Sequence, residues 1–84
     1  MNSTQRKTLA TIFANPINGN IAWARIEALL VAVGCRVIEG NGSSVTFEKD
    51  GVRAYFHRPH PQKEAFRYRV EAVRDFLIEL EIKP

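Results

Sequence analysis

Two dipeptides constrain this chain more than anything else in it. Asn41-Gly42 and Asp50-Gly51 each stand between short β-prone runs, CRVIEG, SSVTFEK and VRAYFHR. Asn-Gly and Asp-Gly favour tight two-residue hairpin loops, because such loops need positive φ at both central positions. Two successive hairpins make an antiparallel meander over residues 35–60. Pro59 and Pro61 end its third strand, since neither can donate to a ladder.

The flanks carry a different period. Ser3 or Thr4 is placed to cap a first helix running to about Asn15, with Leu9, Ile12 and Phe13 on one face. Pro16 stops it and Asn18-Gly19-Asn20 reads as a turn. Asn20 then stands as cap of a second helix, with Ala22, Ile26, Leu29, Leu30 and Val33 at helical spacing. Gly34 follows where a left-handed residue is expected. Val70, Val73, Leu77 and Leu80 mark a last amphipathic helix. The expected fold class is α+β, in the order α-α-β-β-β-α, with a three-stranded antiparallel sheet and the helices on one face. At 84 residues the chain is read as a single domain, 1–84, short enough that almost every apolar residue is needed in the core.

Composition narrows the function classes. A single cysteine, Cys35, rules out an internal disulfide and points to a reducing, cytoplasmic setting. One cysteine and two histidines do not make a zinc site, and no cofactor or metal is expected. No apolar run is long enough for a membrane span, and residues 1–20 lack a signal peptide's apolar stretch. The net charge of +3 is unevenly spread. Residues 70–84 set Arg74 and Lys83 against Glu71, Asp75, Glu79 and Glu81, a net of −2, so the basic excess lies in the rest of the chain. That excess permits a nucleic-acid partner without requiring one.

The hairpins also place side chains. A two-residue loop at Asp50-Gly51 sets Phe47 opposite Ala54 and Val45 opposite Phe56 as an inner face. Glu48–Arg53, Thr46–Tyr55 and Ser44–His57 then form the outer face. If Asn41-Gly42 is also a two-residue loop, Glu39 lies beside Ser44 and an outer row Glu39–Ser44–His57 crosses all three strands. A longer loop at Gly40–Ser43 shifts that row.

The helix IEALLVAVG, the turn GNGSS, the strand VTFEKDG, the segment HRPHPQKE and the final helix, in that order over roughly residues 23–81, resemble the HicA toxins of HicA–HicB toxin–antitoxin pairs. Gly42-Ser43 and His60-Pro61-Gln62-Lys63-Glu64 are the most specific pieces. The resemblance implies a double-stranded-RNA-binding-like fold, metal-independent endonuclease activity on mRNA, and inhibition by a HicB-type antitoxin. It also implies a histidine after Gly-Ser on the second strand. That position falls at Ser44 or Val45 here, and neither transfers protons near neutral pH.

His57, across from Ser44, is the candidate replacement as general base or acid. Lys49, Arg53 or Arg58 are candidates to hold a phosphate and offset transition-state charge. Ser43, Ser44, Tyr55, His60 and Lys63 complete the candidate RNA-binding set. Each has a plainer reading: His57 as a surface histidine, Arg53 as partner of Glu48, and Tyr55 packed on Val37 or covering a sheet edge rather than stacking a base. Arg58, Lys63, Arg67 and Arg69 form a basic run that is a solvated face by default and a phosphate contact under the resemblance. Three functions remain open: an RNA-cleaving toxin, a non-catalytic RNA- or protein-binding module, and a fold whose cations only confer solubility.

Overall fold

The computed structural model describes residues 1–84. Its elements are α1 (Ser3–Ile12), β1 (Ile21–Ala22), α2 (Trp23–Ala32), β2 (Arg36–Glu39), β3 (Ser44–Lys49), β4 (Val52–His57), β5 (Glu64–Ala65) and α3 (Arg67–Glu79). The three helices and the meander stand in the expected order. The additions are β1 and β5, which pair antiparallel as Ile21↔Ala65 and Ala22↔Glu64. Two-residue strands are too short to show any periodicity. This small sheet ties the start of α2 to the segment after β4, and the Trp23 N–H extends the tie by donating to the Lys63 carbonyl at 2.8 Å.

The helix ends depart from expectation. Asn2, not Ser3 or Thr4, caps α1: its side chain accepts from the Gln5 N–H at 2.9 Å while Gln5 accepts from the Asn2 N–H at 2.9 Å. This reciprocal box needs Gln three residues after the cap, and only Asn2 has it. The helix stops at Ile12, short of Asn15, because Arg74 takes over its terminal carbonyls. Its guanidinium donates to Ile12 O at 2.8 Å and Ala14 O at 2.6 Å. Asn20 does not cap α2. Its N–H donates to the Asn18 side chain at 2.7 Å inside the turn, and Ala22 precedes the helix with no side-chain cap. At the other end Gly34 has φ +104°, and the Cys35 N–H returns to the Leu30 carbonyl at 3.0 Å, as a left-handed helix terminus requires.

The three-stranded sheet is ordered β2-β3-β4. Between β3 and β4 the register is the expected one: Ser44↔His57, Val45↔Phe56, Thr46↔Tyr55, Phe47↔Ala54 and Glu48↔Arg53. Asp50 and Gly51 both have positive φ, 52° and 82°. Between β2 and β3 the pairing is Arg36↔Glu48, Val37↔Phe47, Ile38↔Thr46 and Glu39↔Val45, one residue away from a two-residue loop. The Gly40 N–H bonds to Ser44 O, and the Ser44 N–H turns back onto Asn41 O. A one-residue shift exchanges the faces of a strand. Arg36 and Ile38 therefore stand on the outer face, Val37 pairs with Phe47 on the inner one, and Glu39 joins the inner side. The row Glu39–Ser44–His57 does not form, and Tyr55 lies across from Ile38's partner Thr46 rather than beside Val37.

The inner face supplies Val45, Phe47 and Phe56 to one core of 16 buried residues that includes Leu9 and Ile12 of α1, Ile26, Leu29 and Leu30 of α2, and Val70, Val73 and Leu77 of α3. Phe47 is fully buried, a burial worth about 1.5–3 kcal/mol for a side chain of this kind. Trp23 and Phe56 meet with ring centroids 5.4 Å apart, which locks α2 to β4. The helices all cover this side, and the outer face is open.

Candidate functional site

The longer β2–β3 turn decides where one candidate cation goes. Arg58 follows β4 on the inner side, its N–H bonded to Ser43 O at 2.9 Å. Glu39 arrives from β2 on the same side and Glu27 from α2. The Arg58 guanidinium donates to Glu39 at 2.7 and 3.0 Å and to Glu27 at 2.7 and 3.2 Å. The Trp23 indole N–H also donates to Glu27. Four of these hydrogen bonds join charged groups with forked geometry, the strong class. They hold the Glu39 carboxyl below its ordinary value, chiefly through the Arg58 hydrogen bond, and push Arg58 further into its charged form. Arg58 thus clamps α2, β2 and β4 together. A phosphate reaching it would have to displace a carboxylate.

The outer end of β4 is different. His57 is exposed, with Nδ1 3.4 Å from the Ser43 hydroxyl and Nε2 3.3 Å from the Tyr55 hydroxyl. Its ring stands edge-on to Tyr55, centroids 5.3 Å apart. Its carbonyl accepts from Arg69 Nε at 2.9 Å. The Arg69 guanidinium lies 4.9 Å from the centre of the Tyr68 ring and 5.8 Å from that of Phe66, within cation–π range. One terminal nitrogen of Arg69 is buried without a partner. Tyr55, Phe66 and Tyr68 are all exposed. An imidazole, a guanidinium and three aromatic rings therefore meet at one surface, around a groove of about 220 Å³ lined by Tyr55, His57, Tyr68 and Arg69.

Of the candidate residues, Ser43, Tyr55 and His57 come together here. Ser44 does not present its hydroxyl: it is 5% exposed and donates to Asn41 O at 2.7 Å. Val45 is fully buried. Arg53 is exposed on the outer face, but it stands four positions before His57 along β4, roughly 13 Å away. Its cross-strand neighbour Glu48 bonds instead to Arg36 at 3.2 Å and the Gly51 N–H at 3.0 Å. Lys49 is on the inner side at the far end of β3, 3.7 Å from Asp50. His60 and Lys63 are exposed on the connection to β5. The phosphate-holding role assigned to Lys49, Arg53 or Arg58 thus has no residue of that trio free beside His57; Arg69 is the cation there. Phe66 and Tyr68 escaped sequence reasoning because they straddle the start of α3, where neither a strand nor a helix period groups them with β4. Cys35 is buried, and burial pushes its thiol up, which suits an unreactive core position.

The family model described as HicA toxin of bacterial toxin-antitoxin matches residues 23–81, the stretch from the first residue of α2 to just past α3. The chain belongs to the HicA toxin family. No curated protein and no solved structure matches it. The HicA-matching stretch contains the Arg58 clamp, His57 and Arg69. α1 and β1 precede it. No helix is long and apolar enough to cross a membrane.

Proposed function

We propose that this HicA-family protein is the toxin of a toxin–antitoxin pair, that it binds mRNA on the outer face around His57, cleaves it without a metal, and is neutralised by a HicB-type antitoxin that covers the same face. The observation that carries the reading is the meeting of His57 with Arg69, Tyr55 and Tyr68 at one exposed surface, within the family-matched residues. In the cleavage step the His57 imidazole takes the proton of a ribose 2′-hydroxyl as that oxygen attacks the adjacent phosphorus. The bond from phosphorus to the 5′-oxygen breaks, the leaving oxygen takes a proton from water, and a 2′,3′-cyclic phosphate and a 5′-hydroxyl result. Arg69, whose guanidinium belongs to no ion pair, is the cation nearest to the phosphate's developing charge. Tyr55 and Tyr68 offer faces on which bases stack.

The test is RNA cleavage in EDTA by wild type and His57→Ala. Removing a general base is expected to slow cleavage about 10²–10⁴-fold, with Arg53→Ala changing it little. Undiminished cleavage by His57→Ala would remove His57 from the chemistry. One observation favours a second reading, binding without cleavage. The position where the family histidine is expected is taken by Ser44, whose hydroxyl is committed to the turn, or Val45, which is fully buried. RNA binding with steep salt dependence and no cleavage product would establish that reading instead.

A further inference from the structure

Three shallow grooves run end to end across the molecule, and none of the nine acidic residues lines any of them. The groove beside His57 shares Tyr68 with a second, which crosses the start of α3 over Phe66 and Arg67. The second shares Asn20 with a third of about 370 Å³, set between α1 and the start of α2 with Lys7 and Arg25 in its lining. The chain's ion pairs use Arg36, Lys49 and Arg58. Lys7, Arg25, Arg67 and Arg69 take part in none of them, so the cations along the grooves keep their charge uncompensated. No side chain caps the N-terminus of α3, and its helix dipole adds positive potential midway along the path.

Unpaired cations and exposed aromatic rings in alternation suit one kind of ligand: a polyanion whose flat groups are free to stack, which is single-stranded RNA. A duplex keeps its bases inside and has no use for Phe66 and Tyr68. An acidic protein surface has no need of a path that continues from groove to groove. We propose that the Lys7–Arg25 groove is a second RNA-backbone site, remote from His57, and that one strand runs between the two over the start of α3. The inference rests on the RNA reading above and deepens it. Lys7 belongs to α1, outside the family-matched residues 23–81, so the N-terminal helix builds half of this site.

The experiment measures binding of a trinucleotide and of a dodecanucleotide to His57→Ala protein, which leaves the RNA uncut, over a salt series. Adding Lys7→Ala and Arg25→Ala is expected to make the salt slope for the dodecanucleotide shallower by about 1.4, two phosphate contacts at roughly 0.7 each, and to leave the trinucleotide unaffected. Both side chains are exposed, and a thermal melt confirms that the fold is kept. The control, Arg6→Ala with Lys83→Ala, removes the same charge outside the grooves and is expected to leave the slope in place. An unchanged slope in the groove variant, or an equal loss in the control, overturns the second site while leaving the His57 face standing; the first of these is also the result if an acidic protein is the occupant. Failure of both wild type and His57→Ala protein to bind either RNA removes the RNA reading and this site with it.

Discussion

Arg58 and Arg69 both touch the end of β4, and they do opposite things there. Arg58 faces the inner side and is held by two carboxylates, Glu27 and Glu39, through four hydrogen bonds. Arg69 reaches the outer side, where it has a carbonyl, two ring faces and one nitrogen left over. The first joins three elements through carboxylates; the second is in no ion pair. In composition they are the same residue, and a count of basic side chains along residues 57–69 treats them alike. What separates them is which face of the sheet each meets, and that is set by strand register.

The comparison is most severely tested at Gly40. A Cβ there would collide with the Ser44 hydroxyl, so Gly40→Ala forces the β2–β3 turn open and draws Glu39 away from Arg58. The expected cost is about 1–3 kcal/mol, as for other overpacked sites, read by urea denaturation, and Ser44→Ala in the same chain should recover part of it. Next come the two arginines themselves. Arg58→Ala is expected to lower the melting temperature by roughly 4–8 °C, a large step for a domain of this size. Arg69→Ala should lower it far less but make the salt slope of RNA binding shallower by about 0.7. A reversed pattern would mean that the roles have been exchanged.

The smallest expected effect is a pH dependence. The Arg58 hydrogen bond lowers the Glu39 carboxyl from its ordinary 4.5. A carboxyl lowered on folding contributes stability that is present above its unfolded value and lost as pH falls through the folded one. The melting temperature should therefore decline below about pH 4.5, and the part of that decline due to Glu39 should vanish in Arg58→Ala. Glu48, lowered by the Gly51 N–H and Arg36, declines in the same window and remains in the variant as an internal reference. Trp23 fluorescence follows the clamp directly, since its indole N–H is bonded to Glu27.

Much of this architecture is legible from local chemistry. Asp50-Gly51 fixed β3 against β4 because both residues accept positive φ, and the His57 and Tyr55 placements follow from that pairing. Asn41-Gly42 carries the same signal and misleads by one residue. There Gly40 makes room for the Ser44 hydroxyl, and Glu39 finds Arg58, a partner 19 residues away, so the competition is settled by tertiary contacts that no two-residue motif encodes. Asn2 was readable as a cap from the Gln5 that follows it, but Ser3 and Thr4 are equally good cap residues by type. Arg69 stood out only as one of a basic run. Its place beside His57 depends on where α3 begins, directly after β5, and the β1–β5 pair is too small to leave a pattern.

The packing of Gly40 against Ser44 also bears on how such a chain changes over generations. A histidine at position 44 would replace a buried hydroxyl that bonds to Asn41 O and packs against Gly40, and is therefore expected to cost stability. Loosening that turn to admit the larger ring would draw Glu39 away from Arg58. A histidine on strand β3 and the ionic tie among α2, β2 and β4 thus make opposing demands on one short turn.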